Sequence, residues 1–276
     1  LKLKINQLIT IIIILIALMI PGYTGHAQAR SETIAILHTN DEGGVRKNLD
    51  IIASYKNELK DKYDTVFLLS SGGALSGSNM IQSMNQTGYD ALNIGVVELA
   101  AGQEALQRNI DEASFPVLSA NLDATGSYLQ QPEPNILLDT EGGHIIAILG
   151  LIGLTEEGIP PVDTGLLGRL GFTSPFQAAA NYSYLAEIAD IYIGLTYLGH
   201  GTDRNLARFR DEFDFIIGGQ SKTVIKNPPV INNVLITQAG SETDYLGKII
   251  IELDSNGQIS SREASLIEIT SIGENK

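Results

Sequence analysis

Metal binding and proton transfer need imidazoles, carboxylates and amides gathered in one place. The densest run of such groups is His38-Thr39-Asn40-Asp41-Glu42. It follows the apolar residues Ile34 to Leu37 and precedes Gly43-Gly44. This pattern predicts a fully buried strand that empties into a polar turn, the place where α/β proteins put their chemistry. A second such junction leads from Thr65-Val66-Phe67-Leu68-Leu69 into the small-residue loop Ser70 to Ser78. Backbone N–H groups of a glycine-rich loop can cradle phosphate, but the Lys-Ser/Thr of a P-loop is missing. Ser70 and Ser71 do not read as nucleophiles, because no histidine stands near them in sequence as a base. Nothing in the spacing of Glu42 and Glu98 marks an acid–base pair.

The supply of ligands is thin. There is no cysteine, which excludes disulfides, a thiolate nucleophile and a cysteine-based zinc site. Past residue 29 the histidines are His38, His144 and His200, on three separate segments. His38 and His144 read as structural and His200 as a loop residue. The formal net charge of -14 argues against nucleic acid or an anionic membrane surface as a partner.

The elements that must position these groups alternate. Val45 to Lys60 has a helical pattern, with Leu49, Ile52, Ala53 and Leu59 near one face. Helices are expected over Met80 to Gln86, Ala101 to Asn109, Pro175 to Ile188 and Thr202 to Glu212, with Ser174 and Thr202 as caps. Strands are expected over Phe115 to Leu122, Asp190 to Thr196, Phe213 to Ile217 and Pro229 to Gln238. Asn135 to Asp139 and His144 to Leu149 read as a hairpin. Asn256-Gly257 joins Tyr245 to Leu253 and Gln258 to Ile269 in another. Glu156 to Phe172 reads as a long surface loop. Alternating elements followed by antiparallel strands predict an α/β fold of two sheets with helices outside.

The amino terminus reads as an export signal. Lys2 and Lys4 precede the apolar run Leu8 to Ile20, Pro21-Gly22 breaks it, and Ala27-Gln28-Ala29 fits a small-x-small cleavage site. The run is short for a membrane span of ~20 residues. The expected organisation is a signal peptide over 1–29 and one domain over 30–276, placed in the periplasm or outside the cell, with no membrane contact after cleavage.

With these motifs in view, the chain resembles the catalytic domain of secreted 5′-nucleotidases, within the calcineurin-like metallophosphoesterases. The resemblance runs from Ile34 to about Leu253. It rests on Ile36-Leu37-His38-Thr39-Asn40-Asp41, Ser76-Gly77-Ser78 after Leu68-Leu69, Gly88-Tyr89-Asp90-Ala91, Phe115-Pro116 and Ser119-Ala120-Asn121. Leu198-Gly199 with Asp203 and Phe213-Asp214-Phe215-Ile216-Ile217-Gly218-Gly219 extend it. It implies a four-layer α-β-β-α sandwich and two divalent ions, such as manganese or zinc, that activate water against a phosphate ester. The family also carries a carboxy-terminal nucleotide-binding domain, which is read here as absent.

The resemblance fails at the chemical positions. Asp41 is the one family ligand retained. Gly43 stands at a histidine position and Gly73 at the bridging aspartate. Val96 and Val97 replace an asparagine ligand and a catalytic histidine. Tyr197 replaces another histidine, and Gln220 and Lys222 occupy the last ligand motif. Lys222 is expected to pair with Asp41, which would otherwise be a buried charge without its metals. The sequence therefore reads as a non-catalytic relative without metal cofactor, a binding or partner protein whose partner is another protein or a separate nucleotide-binding chain. The alternative is a metal-dependent hydrolase of phosphate monoesters with Asp41, Glu98 and His200 as relocated ligands. A third class is a small-ligand binder that uses the vacated pocket.

Overall fold

The computed structural model describes residues 30–75 and 78–273. The expected signal segment, 1–29, lies outside the described residues. The strands are β1 (Glu32–Thr39), β2 (Thr65–Ser70), β3 (Ala91–Asn93), β4 (Val117–Leu118), β5 (Leu122–Asp123), β6 (Asn135–Asp139) and β7 (Ile145–Ile152). They continue with β8 (Gly171–Phe172), β9 (Ile191–Tyr197), β10 (Phe215–Ile217), β11 (Val230–Ile231), β12 (Val234–Thr237), β13 (Tyr245–Leu253) and β14 (Ile259–Glu268). The helices are α1 (Leu49–Leu59), α2 (Ser78–Thr87), α3 (Val96–Ala100), α4 (Gln103–Glu112), α5 (Thr164–Leu167), α6 (Pro175–Asn181), α7 (Leu185–Ile188), α8 (His200–Phe209) and α9 (Ile269–Gly273).

Two six-stranded sheets form, in the orders β14-β13-β1-β2-β3-β4 and β11-β12-β10-β9-β7-β6. β1 to β4 are mutually parallel, as are β7, β9, β10 and β12. Each sheet therefore gathers several strand carboxyl ends on one edge. The period-two alternation of side chains then builds the layers. Ile34 and Ile36 of β1 join Ile191, Ile193 and Leu195 of β9 in a core between the sheets. Ala35 and Leu37 face the other way, onto α1 with Leu49 and Ile52. Tyr192 faces a separate cluster under α6, α7 and α8. The result is the expected α-β-β-α sandwich.

The departures from the expected elements have local causes. The Pro229 to Gln238 strand is a hairpin, β11 and β12, because Asn232 and Asn233 take φ of 48° and 68°. Two successive left-handed residues make the tight turn that reverses a strand. The single helix expected from Pro175 to Ile188 is α6 and α7. Between them, Leu185 N–H bonds the Tyr182 carbonyl at 3.0 Å, and the Tyr192 hydroxyl donates to the same oxygen at 3.2 Å. The strand over Phe115 to Leu122 is split into β4 and β5. Ser119 and Ala120 N–H donate to Glu133 and Gly150 carbonyls rather than continuing one ladder. The Glu156 to Phe172 loop contains α5 and β8. Helix α8 begins at His200, with Gly199 rather than Thr202 at its cap.

Candidate functional site

The strand carboxyl ends of the two sheets meet through their loops. After β1, Asp41 N–H bonds the Gly72 carbonyl at 2.9 Å and Gly43 N–H bonds the Gly73 carbonyl at 2.7 Å. These bonds run the β1 and β2 loops alongside each other. Ser71 Oγ donates to the Gly218 carbonyl of the opposite sheet at 2.8 Å. Asn93 Nδ2 donates to the Leu151 carbonyl, again across the sandwich, at 3.0 Å.

Tyr197 closes this junction. It sits two residues beyond Leu195 on β9, so strand alternation aims it into the seam between the sheets. Its side chain is 4 % exposed, and its hydroxyl donates to Asp41 Oδ1 at 2.6 Å. Asp41 Oδ2 accepts from Gln220 N–H at 2.8 Å and from Asn40 Nδ2 at 2.9 Å. Burial and the Asp41 carboxylate both push the Tyr197 phenol well above its ordinary range. It is a neutral donor at any physiological pH.

Glycines make room for the ring. A Cβ at Gly73 would lie 2.8 Å from the Tyr197 hydroxyl. At Gly72, Gly95 and Gly219 it would come within 3.1, 3.0 and 2.9 Å of ring carbons. Gly95 and Gly219 lie outside the positive-φ set, so space alone excludes larger residues there. A side chain at Gly73 and the ring of Tyr197 would thus compete for one space.

Glu98, at the first turn of α3, is fully buried and faces the same loops. Its carboxylate accepts from Gly73 N–H at 3.0 Å, Ala74 N–H at 2.7 Å, Leu75 N–H at 2.9 Å and Gly95 N–H at 2.9 Å. It holds the β2 loop and caps its own helix. Val96 and Val97 are half-buried residues of that helix. His200 opens α8 and bonds Ser221 Oγ through its backbone N–H at 3.0 Å. Burial, then Arg204, lowers its imidazole pKa. His38 is buried at 3.1 Å from Thr237 Oγ1, and burial pulls it down to about 3. His144 is buried against the Arg30 carbonyl at 2.8 Å.

The expected Lys222–Asp41 pair does not form. Lys222 is exposed, and Asp41 takes its three donors from Tyr197, Gln220 and Asn40 instead. The sequence marks Tyr197 as standing where the resemblance implies a histidine, but not as the donor to Asp41. The available signal was four glycines at three strand ends, all facing one aromatic residue.

Two divalent ions need ligands with lone pairs free to face them. Here the Asp41 oxygens are occupied, the Glu98 oxygens are occupied, and the Tyr197 ring fills the space between the loops. No group of three or more His, Asp or Glu among the described residues could hold an ion. The residues present do not fit a dinuclear centre.

No family model matches the chain. It is 27% identical over 292 residues to a 5′-nucleotidase of Vibrio parahaemolyticus, a match covering 86% of this chain and 51% of that protein. It is 26% identical over 288 residues to the trifunctional nucleotide phosphoesterase protein YfkN of Bacillus subtilis, covering 84% of this chain and 19% of that protein. A crystal structure of the calcineurin-like phosphoesterase YfkN from Bacillus subtilis superposes with a TM-score of 0.72 at 19% identity, covering 87% and 92% of the two chains. This chain is a homologue of the 5′-nucleotidase catalytic domains, with the calcineurin-like phosphoesterase fold. It spans about half the length of the curated 5′-nucleotidases of the three Vibrio species that it matches. Among the described residues no helix of this 5′-nucleotidase homologue is long and apolar enough to cross a membrane.

Proposed function

We propose that this chain is an exported 5′-nucleotidase-like protein in which Tyr197 has replaced the dinuclear metal site, and that it acts by binding rather than by hydrolysis. The observation that carries this reading is the Tyr197 hydroxyl on Asp41 at 2.6 Å, inside a cage of glycines. A metal in that space would have to expel a buried ring and strip a buried carboxylate of its donors. On this reading the fold is a scaffold for a protein partner, including a separate chain that binds nucleotide.

The names of the relatives favour a second reading, a metal-dependent hydrolase of phosphate monoesters with relocated ligands at Asp41, Glu98 and His200. It requires Tyr197 to leave Asp41 and Glu98 to release four backbone donors. One measurement separates the two. The purified protein is loaded with manganese or zinc, dialysed, and its metal counted per chain. No retained ion is the outcome expected from the tyrosine-filled site. About two tightly held ions per chain, the complement of a dinuclear hydrolase, would establish the second reading instead.

A further inference from the structure

Beside Tyr197 the same strand ends leave a cleft of about 300 Å³. Such a volume is within the range of small-molecule sites. Leu154, Phe172, Pro175, Phe176 and Leu198 make its apolar walls. The walls are firmly backed. Leu154 and Phe172 pack on the core under the first sheet, while Phe176 and Leu198 pack on the core under the second. Phe176 is also braced from outside by Phe209, ring centroids 6.4 Å apart and edge to face.

The polar rim is small and uncharged. Gln220, Thr202 and Ser174 line the cleft, and their side chains carry no hydrogen bond among the described residues. Gln220 is the most constrained of them. Its φ is 77°, a strained value for a non-glycine residue, and its N–H is fixed on Asp41. Gly199 and Gly153 give its amide room: a Cβ at either would lie 3.0 Å from Oε1 or 3.3 Å from Nε2. So a position implied to bind metal in the family presents a free amide to the cleft. Although the chain has a net charge of -14, no charged side chain lines this surface.

We propose that the cleft between Phe172, Phe176 and Leu198 binds a small uncharged aromatic or heteroaromatic molecule that hydrogen-bonds the Gln220 amide. Apolar walls from two sheets would bury a flat ring, and the rim supplies both donors and acceptors. A charged ligand would be stripped of water with no counter-charge in return. The proposal deepens the binding reading above and rests on it.

The test is a titration of the isotopically labelled protein with indoleacetamide, indoleacetate and tryptamine, which share a ring and differ in charge. Indoleacetamide is expected to shift the backbone amides of Gly153, Phe176, Thr202 and Gln220, with the anion and the cation at least about tenfold weaker. Ser174→Trp fills the mouth from a residue whose side chain makes no cap hydrogen bond, and should abolish the shifts. Gln220→Asn keeps a residue tolerant of positive φ and withdraws the amide, so affinity should fall at least about threefold. Absence of shifts up to the solubility limit, equal binding of the three probes, or unchanged binding in Ser174→Trp would each overturn the proposal. The metal count decides the tyrosine-filled site separately: retained ions with cleft shifts would sink that reading alone, and no ions with no shifts would sink this one alone.

Discussion

Asp41 and Glu98 are buried with every carboxylate oxygen hydrogen-bonded, whereas Glu42, in the loop after β1, and Asp203, in α8, each keep an oxygen without a partner. Glu42 Oε1 accepts from Thr39 at 2.5 Å and Ser70 at 2.8 Å, and Oε2 has none. Asp203 Oδ1 accepts from Thr196 at 2.6 Å, and Oδ2 has none. Burial raises Glu42 to about 7 and Asp203 to about 8 against those bonds. The first pair fastens loops to one another. In the second pair burial favours the protonated form. One end of a sandwich thus contains two solutions to the same problem, a carboxyl group out of water.

The comparison breaks most visibly at Glu98. Glu98→Ala would leave four buried backbone donors without an acceptor. The expected cost is about 4 kcal/mol, measured by urea unfolding. A cost below about 1 kcal/mol would mean that water or the backbone replaces the carboxylate, and that Glu98 is no fastener.

Placing an acid at position 73 tests the cage. Gly73→Asp adds a side chain at φ 83° and 2.8 Å from the Tyr197 hydroxyl, so it should cost about 3 kcal/mol. In a Tyr197→Gly background the steric part of that cost should vanish, giving a favourable coupling of at least about 1 kcal/mol. Additive effects would show that ring and glycine do not share one space. Tyr197→Phe is milder. It removes a donor from a buried carboxylate while keeping the ring, and about 2 kcal/mol is expected from the unfolding midpoint.

How far the sequence reveals this depends on whether a feature is periodic or cooperative. The unbroken runs Ile34 to Leu37 and Ile191 to Leu195 mark strands buried on both faces, and Asn256-Gly257 marks the final hairpin, whose strands pair from Tyr245–Glu268 onward. These signals are local, and they suffice for the sandwich. The Asn232-Asn233 turn was hidden inside an apolar run. The departures from the family pattern at Gly73 and Tyr197 are readable in the sequence one by one, but the packing of that ring against the glycines is not. Tyr197, Gly73, Gly95 and Gly219 are distant in sequence, and only their packing states that one ring fills the space beside all three glycines. Lys222 illustrates the converse error: charge alone suggested a partner for Asp41, while a neutral phenol on the opposite sheet was better placed.

The weakest effect per unit of perturbation, and the sharpest test of the contrast, is pH. An acid whose folded pKa is raised contributes stability that is complete below its unfolded pKa and is lost as pH rises to the folded value. For Asp203 that window runs from 3.8 to about 8, and for Glu42 from 4.5 to about 7. His38 works in the opposite sense. Its folded value of about 3, against 6.5 ordinarily, removes stability as pH falls below 6.5. Between pH 4.5 and 6.5 the two acids outweigh the one histidine, so these groups together favour mildly acidic conditions and make stability fall toward pH 8. Asp203→Asn removes one proton from that balance and should flatten the decline by at most about 1.4 kcal/mol per pH unit. An unchanged slope in Asp203→Asn would show that this buried acid contributes nothing to the decline.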